Sequence, residues 1–197
     1  MNDTISRRGE WEQRYHAGRT GWDRGEPSPA LRHWLDAGLV PAGRVLVPGC
    51  GHGHEVAELV RAGAQVTAVD IAAQPVMRLM GQLTAAGLHA RVIQADLLHW
   101  QPAEPFEAVY EQTCLCALEP AHWPGYERRL ADWLLPGGHL LALFMQTGRE
   151  GGPPYDCPVA AMRELFHAAR WRWQDEAPIE MAHPNGFLEL GYMLTRL

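Results

Sequence analysis

Lysine is absent. All 17 basic side chains among the 197 residues are arginine, so neither Schiff-base chemistry nor a phosphate-cradling P-loop lysine is available. Cysteine is scarce, and four residues are too few to staple a domain of this length. Positive charge is in deficit, 17 basic against 23 acidic side chains for a net of −6, which leaves no electrostatic footprint for nucleic acid. Apolar runs are short. The longest, LLALFM at 140–145, is strand-sized beside the roughly 20 residues a membrane helix needs. The opening stretch, MNDTISRRGEWEQRY, has no apolar core of the secretory type. Repeats and low-complexity tracts are also missing. These absences point to a cytoplasmic protein with no membrane or nucleic-acid partner.

What is present suits one globular unit. Hydrophobic residues make up 47% and charged residues 20%, enough for a sizeable core in a single domain over 1–197. A monomer acting on a small molecule is expected. Apolar spacing predicts an amphipathic helix over 6–17 and a short one over 30–37, with a turn-rich stretch between them. From Arg44 the pattern becomes strand and helix in alternation. Strands are predicted at 44–48, 65–69, 90–94, 106–112 and 139–145, with helices at 54–62, 74–86 and 123–135. Pro136-Gly137-Gly138 reads as a helix stop. A helix over 159–169 precedes strands at 171–175 and 187–195, which have no helix between them. The fold class is therefore α/β: a mostly parallel sheet with helices on both faces and an antiparallel hairpin at one edge.

In such a sheet the ligand sits at the carboxyl ends of the strands, where strand order reverses. That places Gly49-Cys50-Gly51-His52-Gly53, Asp70, Asp96 and the end of the fourth strand together. Glycines let the backbone approach a ligand closely, and an acid at the end of the second strand can accept bonds from ribose hydroxyls. A dinucleotide loop needs G-x-G-x-x-G, but the third position is His54 counted from Gly49 and Val56 counted from Gly51. G-x-G-x-G without a phosphate-binding Lys or Arg beside it suits S-adenosyl-L-methionine instead, a nucleoside with no phosphate. An NAD-dependent oxidoreductase and a non-catalytic nucleoside-binding protein are the readings from other classes.

Separated motifs in order then carry a resemblance. Trp11-Glu12-x-x-Tyr15, Thr20-Gly21-Trp22-Asp23-x-Gly25-x-Pro27-x-Pro29, Leu46-Val47-Pro48-Gly49-Cys50-Gly51, Cys116-Ala117-Leu118-x-Pro120 and Gly151-Gly152-Pro153-Pro154-Tyr155 resemble the thiopurine S-methyltransferase superfamily, most closely its thiol and halide methyltransferase branch. The resemblance implies a class I methyltransferase fold, Rossmann-like over 39–197, with an N-terminal helical lid over 1–38. It implies cofactor contacts from Trp11, Tyr15 and Trp22 on the lid, from Gly49 and Gly51 in the loop, and from Asp70 on the ribose. Asp96 and Leu97 would border the adenine, and Gln112 would stand at the end of the fourth strand. Tyr15 and Gln112 depart from the plant halide enzymes, which carry Trp and Tyr there. Trp123 stands where thiopurine enzymes tend to have Arg.

The implied reaction is in-line methyl transfer to a small soft nucleophile: a thiol, hydrosulfide or halide. A thiopurine-type preference for aromatic thiols, selenium or tellurium compounds is the alternative. Trp11 and Trp22 make chemical sense because aromatic faces hold a sulfonium by cation–π attraction, roughly 0.5–2 kcal/mol. Tyr155 is the candidate for positioning the substrate. No general base stands out, and easily ionised nucleophiles need none. No metal is expected, since neither Cys50-Gly51-His52-Gly53-His54 nor Cys114-Leu115-Cys116 has a recognised ligand spacing.

Overall fold

The computed structural model describes residues 2–197. Short aliphatic runs separated by helix-length segments build an eight-stranded sheet. The strands are β1 (Arg44–Pro48), β2 (Gln65–Asp70), β3 (Arg91–Gln94), β4 (Phe106–Gln112), β5 (Leu134–Gln146), β6 (Trp171–Trp173), β7 (Ile179–Ala182) and β8 (Leu188–Arg196). Their spatial order is β3-β2-β1-β4-β5-β8-β6, with β7 also on β8. β1 to β5 run parallel. β8 runs antiparallel to β5 along its whole length, and its other edge takes β6 and then β7.

Side chains on successive strand residues point to opposite faces, and this alternation divides the core in two. Val45, Val47, Ala108, Tyr110, Leu141 and Leu143 face the helices α2 (Pro29–Asp36), α3 (His54–Arg61) and α4 (Ala73–Ala85). Leu46, Val109, Leu140, Ala142 and Phe144 face α5 (Trp123–Trp133) and α6 (Val159–Leu165). Tertiary packing holds these helices, because eight residues are too few for an isolated helix in water. In α3, Val56 and Leu59 are completely buried, each contributing roughly 1.5–3 kcal/mol. α2 is capped by Ser28, whose hydroxyl accepts the Ala30 amide, and begins with Pro29 at its first turn. The first helix, α1 (Asn2–His16), packs on α4.

Three sequence expectations need correction. β5 starts at Leu134, directly after α5, and passes through Pro136-Gly137-Gly138 instead of starting beyond it. The reason is close approach: a Cβ at Gly138 would lie 2.9 Å from the Leu135 carbonyl oxygen and 3.0 Å from that of Glu107. The glycine there admits a strand as well as stopping a helix. β7 was not foreseen; it forms the tight hairpin with β8, while β6 pairs antiparallel with β8 as expected. Finally, α6 stops at Leu165, four residues early, where Phe166 leaves the helical region at φ −89°, ψ 63°. Among the described residues no helix is long and apolar enough to cross a membrane.

Candidate functional site

The strand order reverses between β1 and β4, and both strands end at the same side of the sheet. A cavity of about 380 Å³ opens there. Gly49, Asp70, Asp96 and Leu97 form its floor at the ends of β1, β2 and β3. The N-terminal segment forms the opposite wall with Trp11, Tyr15 and Trp22. A smaller, polar annex of about 50 Å³ adjoins it, sharing Trp22, Gly49 and Thr113 and reaching Gly51, Gln112, Arg24 and Glu55. All nine cofactor positions expected from the sequence therefore converge on one two-part space, Gly51 and Gln112 in its annex. Tyr155 lines neither part. Its amide donates to the Cys116 carbonyl at 2.7 Å, and its ring lies so close to Gly152 that a Cβ there would meet it at 2.6 Å. Its place is to shape the loop that carries Pro153 and Pro154 into the cavity wall.

The glycine loop is built by backbone geometry. Gly49 and Gly53 have φ of 59° and 73°, which only glycine adopts freely. A Cβ at Gly53 would also collide with Leu79 at 2.4 Å. Asp70 fixes this loop from below: one carboxylate oxygen accepts the Gly51 amide and the other the Ala72 amide, both at 2.9 Å. Burial pushes the Asp70 carboxyl up, and the two amides work against it.

The N-terminal segment is tied down at charged points. Asp96 accepts from the Thr4 hydroxyl and from the Arg7 guanidinium, both at 2.7 Å. Burial pushes its carboxyl up, but these bonds and one from His99 outweigh it and hold the group well below the usual carboxylate range. Glu12 accepts the Ala73 amide at 2.6 Å, at the start of α4, where a carboxylate complements the helix dipole. Trp11 and Trp22 meet edge to face with centroids 5.3 Å apart, and Tyr15 meets Trp22 likewise at 5.5 Å. Such pairs set the rings at fixed angles.

Asp23 is the residue that sequence reasoning left without a role. Its carboxylate spans two imidazoles of the glycine loop, His52 Nδ1 at 2.5 Å and His54 Nε2 at 2.9 Å. Burial raises the Asp23 carboxyl, but the Gly25 amide and both imidazoles outweigh it, so it stays below its ordinary value. An ionised carboxylate only accepts, so each imidazole donates. The three ligand atoms lie within 4.8 Å of one another, a spacing at which a divalent ion could replace the two protons. Asp23→Ala is expected to weaken cofactor-product binding about tenfold, the scale of losing hydrogen bonds to a charged group. Calorimetric titration with S-adenosylhomocysteine checks this, and an unchanged affinity would separate the tie from ligand binding.

The far end of the cavity lies toward β5 and β8. There Cys116, Leu118, Met145, Pro153, Pro154 and Phe187 make apolar walls, with Arg149 and Asn185 beside them. Trp123 holds the Leu115–Ala117 turn on this side, its indole N–H shared between the carbonyls of Leu115 and Leu118 at 3.0 Å each. Burial pushes the Cys114 and Cys116 thiols well up, so they stay protonated and serve as wall. Glu111 holds the turn that follows β4, accepting the amides of Cys114 (3.1 Å) and Leu115 (2.6 Å). Thr113, in that turn, has φ 58°. The sequence also hid the cavity's arginines. Arg7, Arg14 and Arg19 come from the N-terminal segment and Arg149 from the loop after β5, and none is near the glycine loop in sequence.

Comparison with known proteins bears on the family and the fold. The family profile described as Thiopurine S-methyltransferase (TPMT) matches residues 6–191. A probable thiol methyltransferase 2 of Arabidopsis thaliana is 36% identical over 161 residues, covering 80% of this chain and 71% of that protein. Thiocyanate methyltransferase 1 of Brassica oleracea is 30% identical over 189 residues, covering 93% of this chain and 83% of that one. Among solved structures, a Burkholderia thailandensis 1,6-didemethyltoxoflavin-N1-methyltransferase, bound to its acceptor and S-adenosylhomocysteine, superposes with a TM-score of 0.74. It is 22% identical, over 96% of this chain and 86% of that one, a likeness of fold.

Proposed function

The chain belongs to the thiopurine S-methyltransferase family and is a methyltransferase, and from that premise we propose that it uses S-adenosyl-L-methionine to methylate a small soft nucleophile: a thiol, hydrosulfide or halide. The observation that carries the reading is the two-part space at the β1–β4 switch. A nucleoside with an amino-acid tail fits an apolar-walled cavity with an acid on its floor and a polar annex at one end. Asp70 suits the ribose hydroxyls, Asp96 and Leu97 the adenine, and the annex around Gly51, Gln112 and Arg24 the amino-acid end. When bound, the cofactor supplies a sulfonium methyl and its own leaving group.

The protein's own work is to hold, enclose and orient. Trp11, Tyr15 and Trp22 present aromatic surface to a cation, and they exclude water that would mask an anionic nucleophile. The walls at Cys116, Leu118, Met145 and the two prolines leave an acceptor little freedom, which favours in-line attack. At about 380 Å³ the cavity stands near the lower end of small-molecule sites, roughly 300–1,000 Å³. That size favours a compact acceptor over a bulky aromatic one. No histidine of the described chain lines the cavity, in keeping with nucleophiles that arrive already ionised.

The test is release of S-adenosylhomocysteine from S-adenosyl-L-methionine with hydrosulfide, iodide or thiophenol in separate reactions. Product with hydrosulfide or iodide is the expected result. Product from thiophenol alone would move the acceptor to the aromatic class, and none from any of the three, with cofactor binding shown, would overturn the reading.

A further inference from the structure

The cavity's charges are not those of the rest of the molecule. The chain carries a net −6, yet the cavity is lined by four arginines against two aspartates. Both aspartates are committed: Asp70 to the amides of Gly51 and Ala72, and Asp96 to Thr4 and Arg7. Arg14, Arg19 and Arg149 form no ion pair with any described residue. Four guanidinium groups against two carboxylates leave a formal excess of two positive charges around a space with apolar walls, which focuses positive potential into it.

Arg149, an exposed residue, differs from the other two in position; Arg14 also lies over a ring, that of Trp11, 5.2 Å from the centroid. Asp70 and Asp96 end β2 and β3, on one side of the switch point, whereas Arg149 and Phe187 adjoin β5 and β8 on the other. Arg149 therefore stands at the acceptor end. Its loop is gathered by Asp156, which accepts the amides of Thr147 at 2.6 Å and Gly148 at 3.0 Å. Its guanidinium lies over the Phe187 ring, 4.4 Å from the centroid. Phe187 is itself placed by a turn in which its amide donates to the Asn185 side chain at 3.1 Å. Stacking uses the face of a guanidinium and leaves its N–H edge for an anion. No described residue accepts from that edge.

We propose that Arg149, stacked on Phe187, is an anion subsite that binds the methyl acceptor in its ionised form and selects it over neutral nucleophiles. The inference rests on the methyltransferase reading above and adds the residue and the charge state. An anionic acceptor needs no proton removed. Its lone pair forms the new bond to carbon, the pair from the broken carbon–sulfur bond stays on the leaving sulfur, and one positive and one negative charge disappear together. A cavity without a free general base is then complete as it stands.

Potassium thiocyanate is the probe, titrated calorimetrically into protein saturated with S-adenosylhomocysteine and assayed as acceptor with S-adenosyl-L-methionine. Arg149→Gln is expected to weaken thiocyanate binding and lower its kcat/KM by about tenfold, and to flatten the fall of kcat/KM with added salt. Arg149→Lys should recover part of both, because it restores the charge without the planar stack. Affinity for S-adenosylhomocysteine should be the same in all three proteins, since Arg149 lies away from the nucleoside end. Thiocyanate binding and kcat/KM in Arg149→Gln within twofold of the parent protein would overturn the subsite while leaving methyl transfer intact. A parent protein that binds the cofactor and methylates no anion would bring down both readings.

Discussion

Asp70→Ala is expected to abolish measurable binding of S-adenosylhomocysteine and to destabilise the fold at the same time. The two effects share one cause. Asp70 is 5% exposed, and its removal strands the buried amides of Gly51 and Ala72. Each unsatisfied donor costs about 1–3 kcal/mol, for a combined loss of roughly 2–6 kcal/mol out of a typical total of about 5–15. The loop it holds contains three glycines in the left-handed region, and nothing else in the described chain pins the Gly51 amide by a side chain. Asp70→Asn is the sharper variant. It keeps one accepting oxygen but turns an NH₂ toward the other amide, so it should fall between the parent and Asp70→Ala in stability while still binding cofactor poorly. Urea unfolding and calorimetric titration on both variants check this. Binding by Asp70→Ala within threefold of the parent protein would remove the carboxylate from the ribose.

A second large effect is expected from Glu111, and it depends on pH. Its carboxyl is 1% exposed, and one of its oxygens has no hydrogen-bond partner. Burial pushes it from 4.5 up to about 7, against the amides of Leu115 and Cys114. Glu189, equally buried, is also raised to about 7, chiefly by burial and against Gln112 and Arg24. For an acid whose value is higher in the folded state, the folded chain binds more protons between the two values, so stability falls as pH rises through that window. Asp23 and Asp96 are lowered from 3.8 and act below it. His139 and His183, lowered from 6.5 by burial, gain stability as pH rises and partly mask the trend. Comparing Glu111→Gln with the parent protein cancels Asp23, Asp96, His139 and His183; Glu189, which the Glu111 charge helps to raise, changes in the same direction as the expected trend. The variant's relative stability should rise between pH 5 and pH 8 by an amount on the order of 3 kcal/mol, the equivalent of its shift. A difference in unfolding free energy that stays constant across that range would mean Glu111 does not titrate in the folded protein.

The sheet was readable from sequence because its signals are local. Strand-length aliphatic runs alternate with helical spacing from Arg44 onward, and β1 and β4 end where the side-chain pattern ends. β7 escaped because Ile179-Glu180-Met181-Ala182 is only four residues long and is a strand only by virtue of pairing with β8. The floor of the site was legible for the same reason as the strands: glycines and acids at strand ends have few other uses. Its opposite wall was not. The pairing of Asp23 with His52 and His54 spans about thirty positions, and Arg149 meets Phe187 only through the register of two separate turns. Neither contact leaves a periodicity or a motif. The resemblance supplied Trp11, Tyr15 and Trp22, which without it would have passed for aromatics packing the N-terminal segment.

The position of β8 has a consequence for the order in which the molecule is made. It is made after every strand it pairs with, yet it lies inside the sheet, with β5 on one edge and β6 and β7 on the other. A nascent chain that has not reached Leu188 can lay down the parallel strands and the glycine loop, but the outer edge of β5 is still open. Until that edge is filled, the newly made chain is a half-sheet with exposed backbone donors and acceptors, the feature that recruits other strands. Phe187, immediately before β8, arrives at the same moment. The strand-end half of the cavity is thus encoded early, and its wall beside β5 and β8 is finished only when the segment that begins at Phe187 arrives.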